Sequence, residues 1–151
     1  MIVREIGKKD EQIFLRLCNE FYSAGATKRG YDEALARLTY EQVTGKHENL
    51  WGYILEDNGS NLGYALITSY WCNEDGGNVI ILDELYIRPS DRNRGYAKEF
   101  MQWMEQQYSD IAVSITLEVL STNVAAKNLY AVEGYEEDGF EVLTKPVKKY
   151  L

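Results

Sequence analysis

The chain is poor in the residues on which several chemistries depend. Its 151 residues include two cysteines, Cys18 and Cys72, and a single histidine, His47. The cysteines form no C-x-x-C pair, and one histidine alone leaves metal clusters and histidine-based triads without their parts, so no metal is expected. Neither a leader-type segment nor a long apolar span is found, which points to a reduced, cytoplasmic protein with no membrane partner. Cationic residues are in deficit, 16 Lys and Arg against 24 Asp and Glu, for a formal charge of −8. That balance argues against nucleic acid and anionic membrane surfaces and suits a cationic partner. No Gly-Lys-Ser/Thr turn and no dinucleotide-type glycine set occurs, so kinase and dehydrogenase readings fall. Repeats, linkers and low-complexity tracts are missing too, and the length suits one domain over residues 1–151 with a real core.

The most informative stretch is 79–108. Val79-Ile80-Ile81-Leu82 leads through Asp83-Glu84-Leu85-Tyr86-Ile87 to Arg88-Pro89. This reads as a buried strand halted where proline removes a ladder donor. The polar turn Ser90-Asp91-Arg92-Asn93-Arg94-Gly95 follows, and Ala97, Phe100, Met101, Met104 and Tyr108 then lay one apolar stripe along a helix. A helix N-terminus presents unpaired N–H groups and partial positive charge, to which Arg92, Arg94 and Lys98 add full charges, so a phosphate is the natural guest.

Around it the pattern gives a first strand at 2–6, then a helix from an Asp10 cap through Ile13, Phe14, Leu17 and Phe21 to the exit Ser23-Ala24-Gly25-Ala26. A second helix spans 31–43 with Gly45 beyond it. Strands at 50–56 and 62–72 flank Asp57-Asn58-Gly59-Ser60-Asn61, a hairpin turn that tolerates positive φ, and form an antiparallel meander with 79–87. The alternation of Val113, Ile115, Leu117 and Val119 gives a strand at 112–120, parallel to 79–87 because a helix crosses between them. Asn123 and its neighbours cap a short helix over 124–132 that Gly134 stops, and 135–143 reads as a terminal strand before the polar tail Lys145-Pro146-Val147-Lys148-Lys149. Cys18 and Cys72 read as small core or half-buried hydrophobes.

A second motif, Asn123-x-x-Ala126-x-x-Leu129-Tyr130-x-x-x-Gly134-Tyr135, falls one strand after the Arg92 turn, at the same sheet end. Neighbouring parallel strands deliver both motifs to one crevice. With both in place, the chain resembles the GNAT superfamily of acyl-coenzyme-A-dependent N-acetyltransferases. The resemblance implies a mixed α/β (α+β) fold: a mostly antiparallel central sheet of about six to seven strands, helices on both faces, and strands four and five parallel and splayed. Arg92-Asn93-Arg94-Gly95-Tyr96-Ala97 resembles the family's Q/R-x-x-G-x-G/A pyrophosphate turn, with backbone donors from Asn93 to Lys98 cradling the diphosphate of acetyl-CoA, the expected co-substrate. Tyr86 and Ile87 resemble the strand edge that pairs with the pantetheine arm. Asn123 and Asn128 match coenzyme-contacting positions, and Tyr130 matches the tyrosine that protonates the departing thiolate.

An alkyl ammonium of pKa about 10 must lose a proton before it can attack a thioester, and Glu84 is the candidate base. Strand alternation sets Asp83 and Glu84 on opposite faces and Glu84 with Tyr86 on one. A backbone N–H near Tyr86 or Ile87 is the candidate donor to the carbonyl oxygen. In the family the helix pair and the strand hairpin border the acceptor cleft. Here they carry Tyr22, Tyr31, Tyr40, Tyr70 and Trp71 among Asp32, Glu33, Glu41, Glu74 and Asp75, aromatics and carboxylates suited to a small cationic amine. The expected reaction is direct acetyl transfer in a ternary complex, by a monomer or homodimer. Two alternatives stay open: a protein lysine or N-terminal acetyltransferase, and a non-catalytic acyl-CoA-binding module.

Overall fold

Chain order in the computed structural model is β1 (Ile2–Glu5), α1 (Glu11–Ser23), α2 (Glu33–Thr44), β2 (Leu50–Asp57), β3 (Ser60–Cys72), β4 (Gly77–Ile87), α3 (Tyr96–Tyr108), β5 (Ala112–Leu117) and α4 (Val124–Val132). Residues 1–147 are described apart from Ala26 and Lys28, so Ala26 of the expected helix exit and Lys148 and Lys149 of the tail lie outside the described residues. Contacts divide the chain into two units, Met1–Leu120 and Ser121–Leu151.

The first unit is built on a five-stranded sheet in the order β1-β2-β3-β4-β5. Its pairings are antiparallel except β4–β5, which is parallel as the crossover through α3 requires. Asn58 and Gly59 both adopt positive φ, 48° and 78°, which gives the β2–β3 hairpin its tight turn. β4 and β5 stay paired only as far as Leu82 opposite Leu117, so Asp83 to Ile87 continue with no strand partner on that side among the described residues. This is the splay that the family resemblance implies.

One irregularity decides which side chains face which layer. On the β3 side Leu66 pairs with Glu84 and Ile67 with Leu82, which leaves Asp83 as an extra residue. Such a bulge reverses the alternation beyond it. Ile80 and Leu82 pack with Phe100, Met104 and Tyr108 of α3, and so do Leu85 and Ile87 after the bulge. Glu84 and Tyr86 are thereby turned to the opposite face, where Tyr64, Leu66 and Tyr86 pack with Phe14, Leu15, Leu17 and Cys18 of α1. Helices therefore cover both faces of the sheet. Phe14, Leu17, Phe100 and Met104 have no exposed surface, and each contributes about 1.5–3 kcal/mol by burial.

The helix ends follow local chemistry. Asp32 accepts from the N–H groups of Ala34 and Leu35 at 2.9 and 3.3 Å, so α2 starts at Glu33 and not at the expected residue 31. Asp10 holds the N-cap position of α1, but its carboxylate is spent elsewhere. It takes a bidentate pair from Arg4 at 2.8 and 2.9 Å and the Gly7 N–H at 2.7 Å, tying β1 to the start of α1.

Three expectations need correction. The sheet has five strands among the described residues where six to seven were expected, and residues 135–143 form no strand. Glu136, Glu137, Asp138 and Gly139 are weak strand formers, Gly139 sits at φ 82°, and the Asp138 carboxylate accepts from the Phe140 N–H at 2.9 Å to make a local turn. β5 also stops at Leu117, short of the expected residue 120.

Candidate active site

The sequence of the 79–108 stretch places its candidate residues together at the C-terminal end of β4. Glu84 is half-buried on the α1 face, and both carboxylate oxygens are engaged by phenols. Tyr64 of β3 donates to Oε2 at 2.5 Å, and Tyr22, in the last turn of α1, donates to Oε1. Burial pushes the Glu84 carboxyl above the usual carboxylate range, the two phenols pull it back in part, and the neighbouring Asp83 adds to the rise. A carboxylate so placed has a raised proton affinity, which suits a general base working near neutral pH. Tyr22 and Tyr64 are themselves raised, chiefly by burial, and so remain donors.

A second carboxylate on α1 has a different partner. Glu20 accepts from Arg88 at 3.1 and 3.2 Å and from the Tyr86 hydroxyl at 3.3 Å, which fastens α1 to the end of β4. Cys18, buried beside Tyr64, has its thiol pushed up to about 12 by burial. It stays protonated and offers no nucleophile.

The strand edge is held from both sides. A Cβ on Gly63 would lie 1.8 Å from the Tyr86 carbonyl oxygen, so only glycine lets β3 approach β4 this closely. Beyond Ile87, Arg92 folds back: its Nε donates to the Ile87 carbonyl at 2.9 Å, and its guanidinium stands 5.9 Å from the Tyr86 ring centre. Arg92 thus fixes the turn to the strand. Asn93 at φ 61° and Gly95 at φ 83° bend the chain into α3. Gly95 is the N-cap and has no side chain with which to cap the N–H groups of the first turn. Arg94 lies 3.6 Å from Asp91, and Tyr96 anchors the helix start by donating to Asp57 at 2.8 Å. Ala97, against the α3-side core, and Lys98 complete that first turn. A turn with two left-handed residues, an uncapped helix start and two arginines fits a diphosphate.

The remaining candidates belong to the second unit. Asn123 is the N-cap of α4 and accepts from the Ala126 N–H at 3.2 Å, Asn128 lies within the helix, and Tyr130 stands 6.1 Å from Tyr135 with its phenol raised by burial.

Among the expected cleft residues, Tyr22 meets Glu84. Tyr31 and Tyr40 pack against the α1-side core, while Asp32 caps α2 and Glu33 pairs with Arg37. Tyr70 and Trp71 pair with Val79 and Asn78, and the turn after them holds Glu74 and Asp75. They lie at the far end of β4, about 17–20 Å along the strand from Glu84, and do not border its site. A separate hollow of about 290 Å³, lined by Glu5, Ile6, Val43, His47, Trp51 and others, contains none of the candidates.

The mixed sheet, its splayed parallel pair and the glycine turn between β4 and α3 match the fold of acyl-coenzyme-A-dependent acetyltransferases. The profile of the Acetyltransferase (GNAT) family matches residues 13–135, and the chain belongs to that family of N-acetyltransferases. It is 27% identical over 143 residues to an uncharacterized N-acetyltransferase, YhfO, of Bacillus subtilis (strain 168), covering 91% of each chain. In fold it is similar to a possible acetyltransferase from Clostridium difficile 630, with TM-score 0.84, 14% identity and 98% of both chains covered. It is also similar in fold to AAC(6')-Iy solved with the bisubstrate analogue CoA-S-monomethyl-acetylneamine, with TM-score 0.77, 16% identity and 96% and 97% covered.

Proposed function

We propose that the protein transfers the acetyl group of acetyl-CoA to the primary amine of a small cationic acceptor, by direct attack in a ternary complex, with Glu84 as general base. The observation that carries this reading is the Glu84 carboxylate, half-buried and held by neutral phenols, on the strand end that leads into the Gly95 turn. Acetyl-CoA supplies the acyl group already activated as a thioester. Backbone donors from Asn93 to Lys98, with Arg92 and Arg94, hold the diphosphate, and the free edge at Tyr86 and Ile87 takes the pantetheine arm. Asn123 and Asn128 contribute contacts to the coenzyme. Glu84 removes a proton from the acceptor ammonium, and a backbone N–H near Tyr86 or Ile87 holds the charge that develops on the carbonyl oxygen. Tyr130 returns a proton to the thiolate. Its phenol is protonated at neutral pH, as a proton donor must be.

The small cationic acceptor is supported by the formal charge of −8, which draws cations by long-range attraction, and by the neamine group named for the AAC(6')-Iy complex. The test is thiol release from acetyl-CoA across a panel of polyamines, aminoglycosides, amino acids and peptides, with mass spectrometry of the products. Release with polyamines or aminoglycosides is expected. Turnover with peptides alone would reassign the acceptor, and tight coenzyme binding without turnover on any member would make the protein a binding module.

A further inference from the structure

Glu84 is gripped from two sides by residues of different standing. Tyr64 has no exposed surface, and its ring is wedged edge-on against Phe14 at 5.5 Å and Phe21 at 6.1 Å, with Tyr86 at 6.2 Å. That packing fixes where its hydroxyl sits, and the hydroxyl meets Oε2 at 2.5 Å. Tyr22 is half-buried at the end of α1, edge-on to Phe21 at 5.2 Å, and its hydroxyl meets Oε1. A carboxylate against an apolar wall is pushed toward its neutral form and is free to rotate. A donor on each oxygen opposes both tendencies and still leaves each oxygen a second lone pair for an incoming proton.

We propose that Tyr22 and Tyr64 are positioning residues of this site: together they fix the Glu84 carboxylate in one orientation and keep it ionised at neutral pH, Tyr64 from the core and Tyr22 from the open side. The proposal rests on Glu84 being the base. In the proton-transfer step the acceptor's N–H bond breaks, an O–H bond forms on Glu84, and both phenols keep their own protons. The titratable groups that act on the carboxylate are Tyr22 and Cys18 from α1, Tyr64 from β3 and Asp83 from β4; on the same face Glu20 of α1 is bonded to Tyr86 of β4, and Tyr31 and Tyr40 pack on the α1-side core. Glu20 and Asp83 are the carboxylates of the set. Glu20 is matched by Arg88, and Asp83 lies on the exposed bulge, so the phenols are the groups in contact with Glu84.

The test is a ¹³C-carboxyl NMR titration of the full chain labelled at glutamate, with Glu84 assigned from its loss in Glu84→Gln. Tyr64→Phe and Tyr22→Phe are each expected to raise the Glu84 midpoint by about one pH unit, a tenfold change in proton affinity, because each removes one hydrogen bond to the ionised form. A midpoint that is unmoved or lowered in both variants overturns the proposal. If Tyr64→Phe does not fold, as near-ultraviolet circular dichroism will tell, Tyr22→Phe decides the matter alone. Glu84→Gln turnover separates this from the base assignment: full turnover sinks the base, whereas an unmoved titration sinks the clamp.

Discussion

Gly63→Ala places a methyl group where the Tyr86 carbonyl already is. The alanine Cβ would lie 1.8 Å from that oxygen and 2.8 Å from its carbon. Relief requires β3 and β4 to part by at least about 1.2 Å, and no rotamer change helps because both partners are backbone. The ladder at risk is Gly63 with Ile87 and Tyr64 with Tyr86, together with the Arg88 N–H donating to Leu62 at 2.9 Å. Losing two or three such bonds, each worth about 1 kcal/mol net, lowers stability by about 2–3 kcal/mol. For a chain of this size that is a fall in Tm of about 5–10 °C. Urea unfolding gives the magnitude, and amide exchange gives the location: protection should fall at residues 62–64 and 85–88 and hold in β1 and β2. A loss below about 0.5 kcal/mol with unchanged exchange at Tyr86 and Ile87 would refute the close-approach argument.

Three further predictions concern other parts of the chain. The Arg4 pair, followed by the Gly7 N–H, holds the Asp10 carboxyl below the usual carboxylate range. The stability it gives is therefore complete above the unfolded value near 3.9 and is lost as pH falls through the lower folded value. Because Arg4 is about one-third exposed, screening reduces the effect, and Asp10→Asn should cost about 2 kcal/mol at pH 7 and flatten the acid limb of the unfolding curve. Gly95→Ala meets no neighbour within 4 Å but must hold φ at 83°; a penalty of about 1–2 kcal/mol and weaker acetyl-CoA binding by calorimetry are expected. A thiol reagent at pH 8 should label half-exposed Cys72 and spare buried Cys18 until the protein unfolds, and rapid labelling of both would contradict the burial of Cys18.

Local pattern carried much of the fold. The apolar stripe of α3, the Asn58-Gly59 turn, the strand–helix–strand crossover and the Gly95 turn are all written in runs of adjacent residues, and the structure holds them within a few positions. Glu84 and Tyr86 were legible as face-mates because nothing interrupts the alternation between them. The bulge at Asp83 was not legible: no residue type there announces it, yet it turns Glu84 away from the layer of Ile80 and Leu82. It also hid Tyr64. Counting along the hairpin from Cys72 and Gly77 sets Tyr64 opposite Leu85, whereas the bulge moves it opposite Tyr86, beside the Leu66–Glu84 pair. Tyr22 reaches Glu84 only through the packing of α1 on the sheet, a contact 62 residues apart in sequence that periodicity does not encode. The mistaken strand at 135–143 came from Phe140, Val142 and Leu143, whose apolar character was read without weight for the acidic, glycine-broken turn before them.

Glu84→Gln tests the central claim most directly. It keeps the side chain's shape and removes its capacity to take a proton. We predict that acetyl-CoA binding by calorimetry stays within about twofold of the parent while kcat with a responsive amine falls about a hundredfold or more. Parent-level kcat in Glu84→Gln, with the coenzyme bound as before, would contradict the assignment.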